Sequence, residues 1–117
     1  MKRNKFNARK TEVDGHIFDS RAEAQYYVAL LNRIHEGEVW NVKLQPVFKF
    51  IIDGEPLRGM GGRELHYKGD FLYDTKEGPI CVDVKGMILP EFKLKWSLVK
   101  HLYPCTEFRI WKNGHYI

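Results

Sequence analysis

The sequence predicts a single α/β domain in which a mixed sheet is flanked by helices. Two segments carry apolar residues at helical spacing, and short runs rich in β-branched and aromatic residues lie between and after them. The resulting order is helix, several strands, helix and strand, which is typical of a layered α+β core. A chain of 117 residues with 44% hydrophobic residues is long enough to bury such a core without disulfides.

The first predicted elements are a small hairpin and a helix. Asp14-Gly15 favours a hairpin turn because such turns need positive φ. Ser20 is the predicted cap of the helix that follows, Glu23 is its capping-box partner, and Gly37 is the predicted stop. The residues expected on the buried face of this helix are Ala24, Tyr27, Val28, Leu31 and Ile34.

The middle of the chain is predicted to form strands. Residues 39–52 indicate a strand, a bend at Gln45-Pro46 and a second strand. Residues 53–63 contain four glycines and a proline, and we expect a mobile loop there. Two further strands are predicted at residues 65–74 and 80–85, joined by a tight turn.

A second helix and a last strand complete the predicted fold. Pro90 is suited to the first turn of a helix, and Pro104 marks its end. Phe92, Trp96 and Val99 recur at helical spacing and are expected to face the core. Residues 107–111 are predicted to form the final strand.

Charge is unevenly distributed along the chain. Residues 1–10 carry five basic and no acidic side chains, residues 11–84 carry eight basic and thirteen acidic ones, and residues 85–117 carry six basic and two acidic ones. The segments therefore have net charges of +5, −5 and +4. Basic ends suit a nucleic-acid partner, although solvated termini explain the same distribution. We divide the chain into a basic N-terminal arm, residues 1–10, and a single domain, residues 11–117.

Composition excludes several classes of protein. No apolar run approaches the roughly 20 residues of a membrane span, so no membrane partner is expected. The two cysteines give no disulfide framework, and we expect a reduced, cytoplasmic setting.

The strand predicted at residues 80–85 carries the most informative polar residues. Side chains alternate along a strand, so Asp83 and Lys85 share one face with Cys81, while the other face is wholly apolar. A carboxylate and an ammonium behind an apolar strand face are either solvated or held in a site. Cys81 is expected to be a packed thiol, because no catalytic histidine arrangement accompanies it.

Two other carboxylates are candidates to join Asp83. If the strands at residues 65–74 and 80–85 form a hairpin, Asp70 approaches Asp83. Two carboxylates repel each other unless a cation separates them, and hard oxygen ligands suit Mg²⁺ or Mn²⁺. Glu23 on the first helix is a candidate for a further oxygen ligand, and Lys85 is placed to orient a water.

The acid-x-Lys triplet is weak evidence by itself. Three such triplets occur in this sequence, against about 1.5 expected by chance. Asp74-Thr75-Lys76 runs into a turn, and Glu91-Phe92-Lys93 opens a helix, where positions i and i+2 diverge. Only Asp83-Val84-Lys85 lies in an apolar strand that fixes both groups on one face.

These residues, taken together, resemble the PD-(D/E)XK nuclease superfamily. An acidic residue on the first helix, Gly69-Asp70 on one strand and Asp83-Val84-Lys85 on the next precede a lysine-bearing helix. Nearly the whole chain is also similar to a small phage and prophage family of recombination endonucleases. The segments that carry this similarity are Lys10-Thr11-Glu12-Val13-Asp14-Gly15, Phe18-Asp19-Ser20, Leu44-Gln45-Pro46, Asp83-Val84-Lys85-Gly86 and Phe92-Lys93-Leu94-Lys95-Trp96.

The resemblance implies a restriction-endonuclease-like fold and Mg²⁺- or Mn²⁺-dependent hydrolysis of DNA, with branched recombination intermediates as substrates, as for Holliday-junction resolvases. Asp70, Asp83 and Glu23 would be catalytic and would bind the metal with the carbonyl of Val84, and Lys85 would assist the attacking water. The implied partners are DNA, a second copy of the chain forming a homodimer, and phage recombination or replication proteins in a bacterial host. One departure is Gly69, which stands where the superfamily signature often has proline.

Basic residues expected to contact nucleic acid lie on the arm, beside Asp70 and on the second helix. They are Lys5, Arg9, Lys10, Lys68, Lys93, Lys95 and Lys100. A solvated face explains the helix lysines equally well. His66 shares the predicted face of Asp70 and is a further candidate for phosphate contact. Two alternatives remain open: a non-catalytic nucleic-acid-binding module of the same fold, and a phage protein that acts through a protein partner.

Overall fold

The computed structural model describes residues 10–117. Lys5 and Arg9, with all of the predicted arm except Lys10, lie outside the described residues. The two described helices are α1 (Arg21–His35) and α2 (Pro90–Leu102). The strands are β1 (Thr11–Val13), β2 (His16–Phe18), β3 (Trp40–Leu44), β4 (Val47–Lys49), β5 (Ile51–Ile52), β6 (Glu55–Pro56), β7 (His66–Lys68), β8 (Phe71–Thr75), β9 (Gly78–Val84), β10 (Glu107–Lys112) and β11 (His115–Tyr116).

The fold is a mixed α/β arrangement built on a five-stranded sheet, and the predicted fold class is confirmed. The strand order is β11-β10-β9-β8-β3. β8 pairs antiparallel with β3 and β9, while β10 runs parallel to β9. A parallel pair needs a crossover connection, and α2 supplies it. The two-stranded sheets β1-β2, β4-β7 and β5-β6 surround this core.

Two hydrophobic cores lie on opposite faces of β9. Val82 and Val84 belong to the core that holds Ala24 and Leu30 of α1. Cys81 belongs to the second core, with Val99 of α2. The predicted alternation along this strand is therefore correct, but both faces are covered rather than one, because α2 and β7 close over the second face.

The first helix begins as predicted and buries a different face. Asp14 and Gly15 adopt φ values of 51° and 81° in the β1-β2 turn, and Ser20 Oγ accepts a hydrogen bond of 3.1 Å from Glu23 N–H. The expectation that Val28 and Ile34 face the core is wrong, since both are exposed. Tyr26 and Leu30 are buried instead, beside Ala24 and Tyr27 of the predicted set, because the packing of α1 on the sheet decides which of its apolar residues are covered.

Two other local predictions are corrected. The strand predicted at residues 65–74 is interrupted at Gly69-Asp70, so that β7 pairs with β4 and β8 pairs with β9. Residues 53–63 are not an open loop. The β5-β6 hairpin turns at Asp53-Gly54, and an antiparallel bridge joins Arg58 to Glu64. The glycines of this segment therefore lie in the turns of a paired β-structure.

Neither helix in residues 10–117 combines the length and apolar character needed to cross a membrane.

Candidate active site

The β8-β9 hairpin brings Asp70 to the end of β9. Phe71 is registered opposite Val82, and Asp70 N–H donates to the Val82 carbonyl at 3.1 Å. Val84 N–H then donates to Asp70 Oδ2 at 2.7 Å. The hairpin pairing follows the sequence expectation, and the break after Gly69 lets the Asp70 side chain turn back onto the neighbouring strand.

Asp83 is the buried charge of the site, with only 3% of its surface exposed. Tyr67 donates its hydroxyl to Asp83 Oδ2 at 2.5 Å. Lys85 Nζ lies 3.2 Å from Asp83 Oδ1. A buried carboxylate is costly unless it is paired and hydrogen-bonded, and these two partners meet both conditions.

Lys85 links this carboxylate to α2. Its ammonium lies 4.0 Å from the centre of the Phe92 ring, a distance suited to a cation–π contact. Its side chain remains 24% exposed. Lys85 is therefore held by two contacts and remains partly accessible to solvent, and it lines a cavity.

Glu23 approaches the site from the first turn of α1. Burial and the negative charges of Asp19 and Asp83 together raise the pKa of Glu23 to about 7, while Lys85 and Lys68 oppose the shift. The influence of Asp83 and Lys85 shows that Glu23 shares their electrostatic environment. The Glu23 backbone N–H donates to Ser20 Oγ, and the Glu23 carboxyl group interacts electrostatically with these charges.

Asp70 shows the strongest evidence of repulsion within the cluster. Burial and the negative charges of Asp83 and Glu23 together raise its pKa to about 8, against the hydrogen bond from Val84 N–H. The charges of three carboxyl groups, from α1, the start of β8 and β9, thus influence one another. We call Glu23, Asp70 and Asp83 the carboxylate cluster.

The chemistry of this cluster fits a hard divalent cation, because carboxylate oxygens are its preferred donors and a cation relieves their repulsion. The side chains are not arranged as a complete ligand set: within residues 10–117, no three His, Cys, Asp or Glu groups are placed to hold one ion. Mg²⁺ commonly uses one or two protein carboxylates and completes its shell with water and phosphate oxygens. Asp70 and Asp83 are two carboxyl groups whose charges interact, which is the number that such a site requires.

A family model described as a protein of unknown function, DUF1064, matches residues 3–116. The chain belongs to the DUF1064 family. No curated protein and no solved structure matches it. The function of this DUF1064 chain is therefore inferred from the geometry of its site.

The predicted basic residues of the DUF1064 chain are distributed over separate surfaces. Lys68 and Lys95 line a cavity of about 260 Å³ that also contains Asp83 and Lys85. Lys95 Nζ pairs with Glu91 at 3.2 Å. The remaining described candidates, Lys10, Lys93 and Lys100, are exposed and do not line this cavity.

Tyr67 is a residue of the site that the sequence analysis did not identify. It lies in the middle of β7, 3% exposed, and its ring packs among aromatic side chains of the second core. In sequence, a tyrosine between His66 and Lys68 has the pattern of an ordinary buried strand residue. The available signal was its alternation with those two polar residues, which predicts that it faces inward.

Gly69 has a steric role in this DUF1064 chain. A Cβ atom at this position would lie 2.6 Å from Cys81 Sγ, closer than two such atoms approach. Cys81 is fully buried beneath the hairpin. The sulfur therefore accounts for glycine where the resemblance leads one to expect proline.

Proposed function

We propose that this protein is a divalent-metal-dependent endonuclease that hydrolyses DNA phosphodiester bonds, with branched recombination intermediates as its substrates. The observation that carries the proposal is the buried Asp83, whose charge interacts with that of Asp70, together with Lys85 on the same strand and a cavity lined by Asp83 and Lys85. An Asp83–Lys85 ion pair with a purely structural role would not require Asp70, a second carboxyl group whose charge repels that of Asp83.

In this proposal, Asp70 and Asp83 would hold Mg²⁺ or Mn²⁺, and Glu23 and the Val84 carbonyl would be drawn in as further protein ligands when the ion binds. A bound ion of this kind lowers the pKa of coordinated water and offsets charge on a phosphate during hydrolysis. The Val84 N–H bond fixes the Asp70 carboxyl against β9. Tyr67 does the same for Asp83 from the opposite side.

Lys85 has the role of orienting the attacking water and stabilising negative charge on the phosphate. Its ammonium is held between Asp83 Oδ1 and the Phe92 ring. The contact with Phe92 would hold the Lys85 ammonium in place if Asp83 gave up the ion pair to bind a cation. A homodimer of such chains would present two sites, one for each DNA strand.

The test is a cleavage assay on duplex, flap and four-way-junction DNA with Mg²⁺, Mn²⁺ or EDTA. Asp83→Asn and Asp70→Asn should abolish metal-dependent cleavage. Asp74→Asn is the matched control, because Asp74 lies on the same hairpin but pairs with Asn41 on the exposed side. Cleavage that persists in Asp83→Asn, or none by the wild type with either metal, would overturn the proposal.

The second candidate is a non-catalytic nucleic-acid-binding module of the same fold. It is favoured by one observation, that residues 10–117 provide no three-residue ligand group for a metal. This candidate requires salt-sensitive DNA binding with no turnover under any metal condition. The same assay, combined with binding measurements, separates the two functions.

A further inference from the structure

The cavity lined by Asp83 has two chemically different sets of lining residues. The first set is cationic and consists of Lys68, Lys85 and Lys95. Asp83 and Glu91 neutralise Lys85 and Lys95 through ion pairs at 3.2 Å, which leaves Lys68 to draw an anion. An anionic group of a ligand is therefore expected beside Lys68.

The second set of lining residues is apolar. Met87 and Leu89 line the cavity from the connection between β9 and α2, and they are 55% and 43% exposed. Phe92 also lines the cavity and contacts the Lys85 ammonium. Apolar side chains that border a charged cavity indicate a ligand with both an anionic and an apolar part.

Leu89 also occupies an unfavourable position for a leucine. It is the N-cap of α2 and provides no side-chain hydrogen bond to the helix. Serine, threonine, aspartate or asparagine at an N-cap satisfies a free N–H group and stabilises the helix. A local rule broken at the rim of a cavity is typical of a residue kept for binding.

We propose that this cavity binds an unpaired nucleotide of a polynucleotide strand, with its phosphate toward Lys68 and its base against Met87 and Leu89. In a duplex the faces of the bases are covered by stacking, whereas an unpaired base exposes a face to apolar side chains. This binding site rests on the proposed function in one respect, that the neighbouring carboxylates are taken as the cleavage site. It specifies the substrate of that site as a strand with unpaired bases. The binding itself does not require cleavage.

The test measures fluorescence anisotropy of labelled DNA in EDTA with the full chain. The probes are single-stranded DNA, blunt duplex of the same sequence and single-stranded RNA. The wild type should bind a single strand roughly tenfold more tightly than duplex, and the DNA and RNA probes show which strand chemistry fits better. Met87→Ser with Leu89→Ser should remove this preference and leave duplex binding unchanged.

Two controls separate binding from folding. Leu89→Ser supplies the missing cap, so it should raise Tm by about 4 °C while it weakens single-strand binding. Leu94→Ser removes a leucine within α2 that is 72% exposed and lies outside the cavity. It should change neither the single-strand affinity nor the duplex affinity.

Equal wild-type affinity for single strand and duplex would overturn the inference, as would a preference that survives the double substitution. A protein that prefers unpaired strands but cleaves nothing with Mg²⁺ or Mn²⁺ would refute the nuclease proposal and leave this binding site standing. Metal-dependent cleavage by a protein that shows no strand preference would support the nuclease proposal and refute this binding site.

Discussion

At the scale of single residues, Tyr67 decides how Asp83 is held. Its hydroxyl donates to Asp83 Oδ2 at 2.5 Å in a buried setting, and hydrogen bonds to a charged acceptor are stronger than neutral ones. The aromatic ring packs independently of this bond, against Phe92 and Trp96. Removal of the Tyr67 hydroxyl oxygen alone would therefore delete the hydrogen bond and leave the ring packing in place.

Tyr67→Phe is expected to lower the free energy of unfolding by about 1.5–3 kcal/mol, because the buried carboxylate loses a donor. Metal-dependent cleavage should fall by about 10- to 100-fold, as when a group that orients a metal ligand is removed. Denaturant titration and cleavage kinetics measure the two effects.

The matched control is Tyr103→Phe. The Tyr103 hydroxyl donates to the Lys49 carbonyl at 2.6 Å, away from the carboxylate cluster. This variant should lose stability without losing cleavage per folded molecule. Equal cleavage by Tyr67→Phe and Tyr103→Phe would show that Tyr67 has a structural role only.

The sequence was sufficient to place Asp83 and Lys85 next to each other, because strand alternation fixes which side chains share a face. It also placed Asp70 near Asp83 through a simple hairpin. It was not sufficient to find Tyr67, whose importance depends on β7 folding over β9 from a different sheet. Long-range contacts of that kind leave no periodic signal in the sequence.

At the scale of elements, the junction between β7 and β8 depends on the packing of Gly69 against β9. A Cβ at Gly69 would lie 2.6 Å from Cys81 Sγ and 3.5 Å from the Pro46 and Tyr67 side chains. The sulfur is therefore the obstacle. This contact explains why the long strand expected from sequence divides, since the chain approaches β9 too closely for any larger residue.

Gly69→Ala is expected to destabilise the protein by about 1–3 kcal/mol through overpacking. Combined with Cys81→Ala, which removes the obstructing sulfur, it should cost less than the sum of the two single changes by about 1 kcal/mol or more. Urea unfolding of the four proteins in this double-mutant cycle gives the coupling energy.

Gly86→Ala serves as the comparison, because a Cβ at Gly86 meets no atom within 4 Å. Its stability should equal or slightly exceed that of the wild type. Additive effects of Gly69→Ala and Cys81→Ala would contradict the steric account.

Most elements follow from local patterns, and the exceptions share a cause. The Ser20 cap and the Pro90 start of α2 are determined by neighbouring residues, so the sequence predicted them. The buried face of α1 and the ordered β5-β6 extension depend on the elements packed beside them. Because those partners are distant in the chain, residue spacing alone did not identify them.

At the scale of the whole molecule, the fold places three carboxyl groups together at the expense of stability. A carboxyl whose pKa is raised on folding favours the protonated form in the native state. Burial and mutual repulsion raise the pKa of Asp70 to about 8 and that of Glu23 to about 7. Ionisation of these groups therefore destabilises the native state.

The expected result is that, in EDTA, stability decreases as pH rises from about 5 to 9. Between the ordinary pKa near 4 and the raised values, the native state binds more protons than the unfolded state, so the free energy of unfolding falls with rising pH. Thermal unfolding at a series of pH values measures this slope, and Asp70→Asn should flatten it. Mn²⁺ should raise Tm at pH 9 far more than at pH 5, because it binds the ionised carboxylates and removes their repulsion. If stability in EDTA rises with pH over this range, the carboxylate cluster is not strained and the reason for a cation at this position disappears.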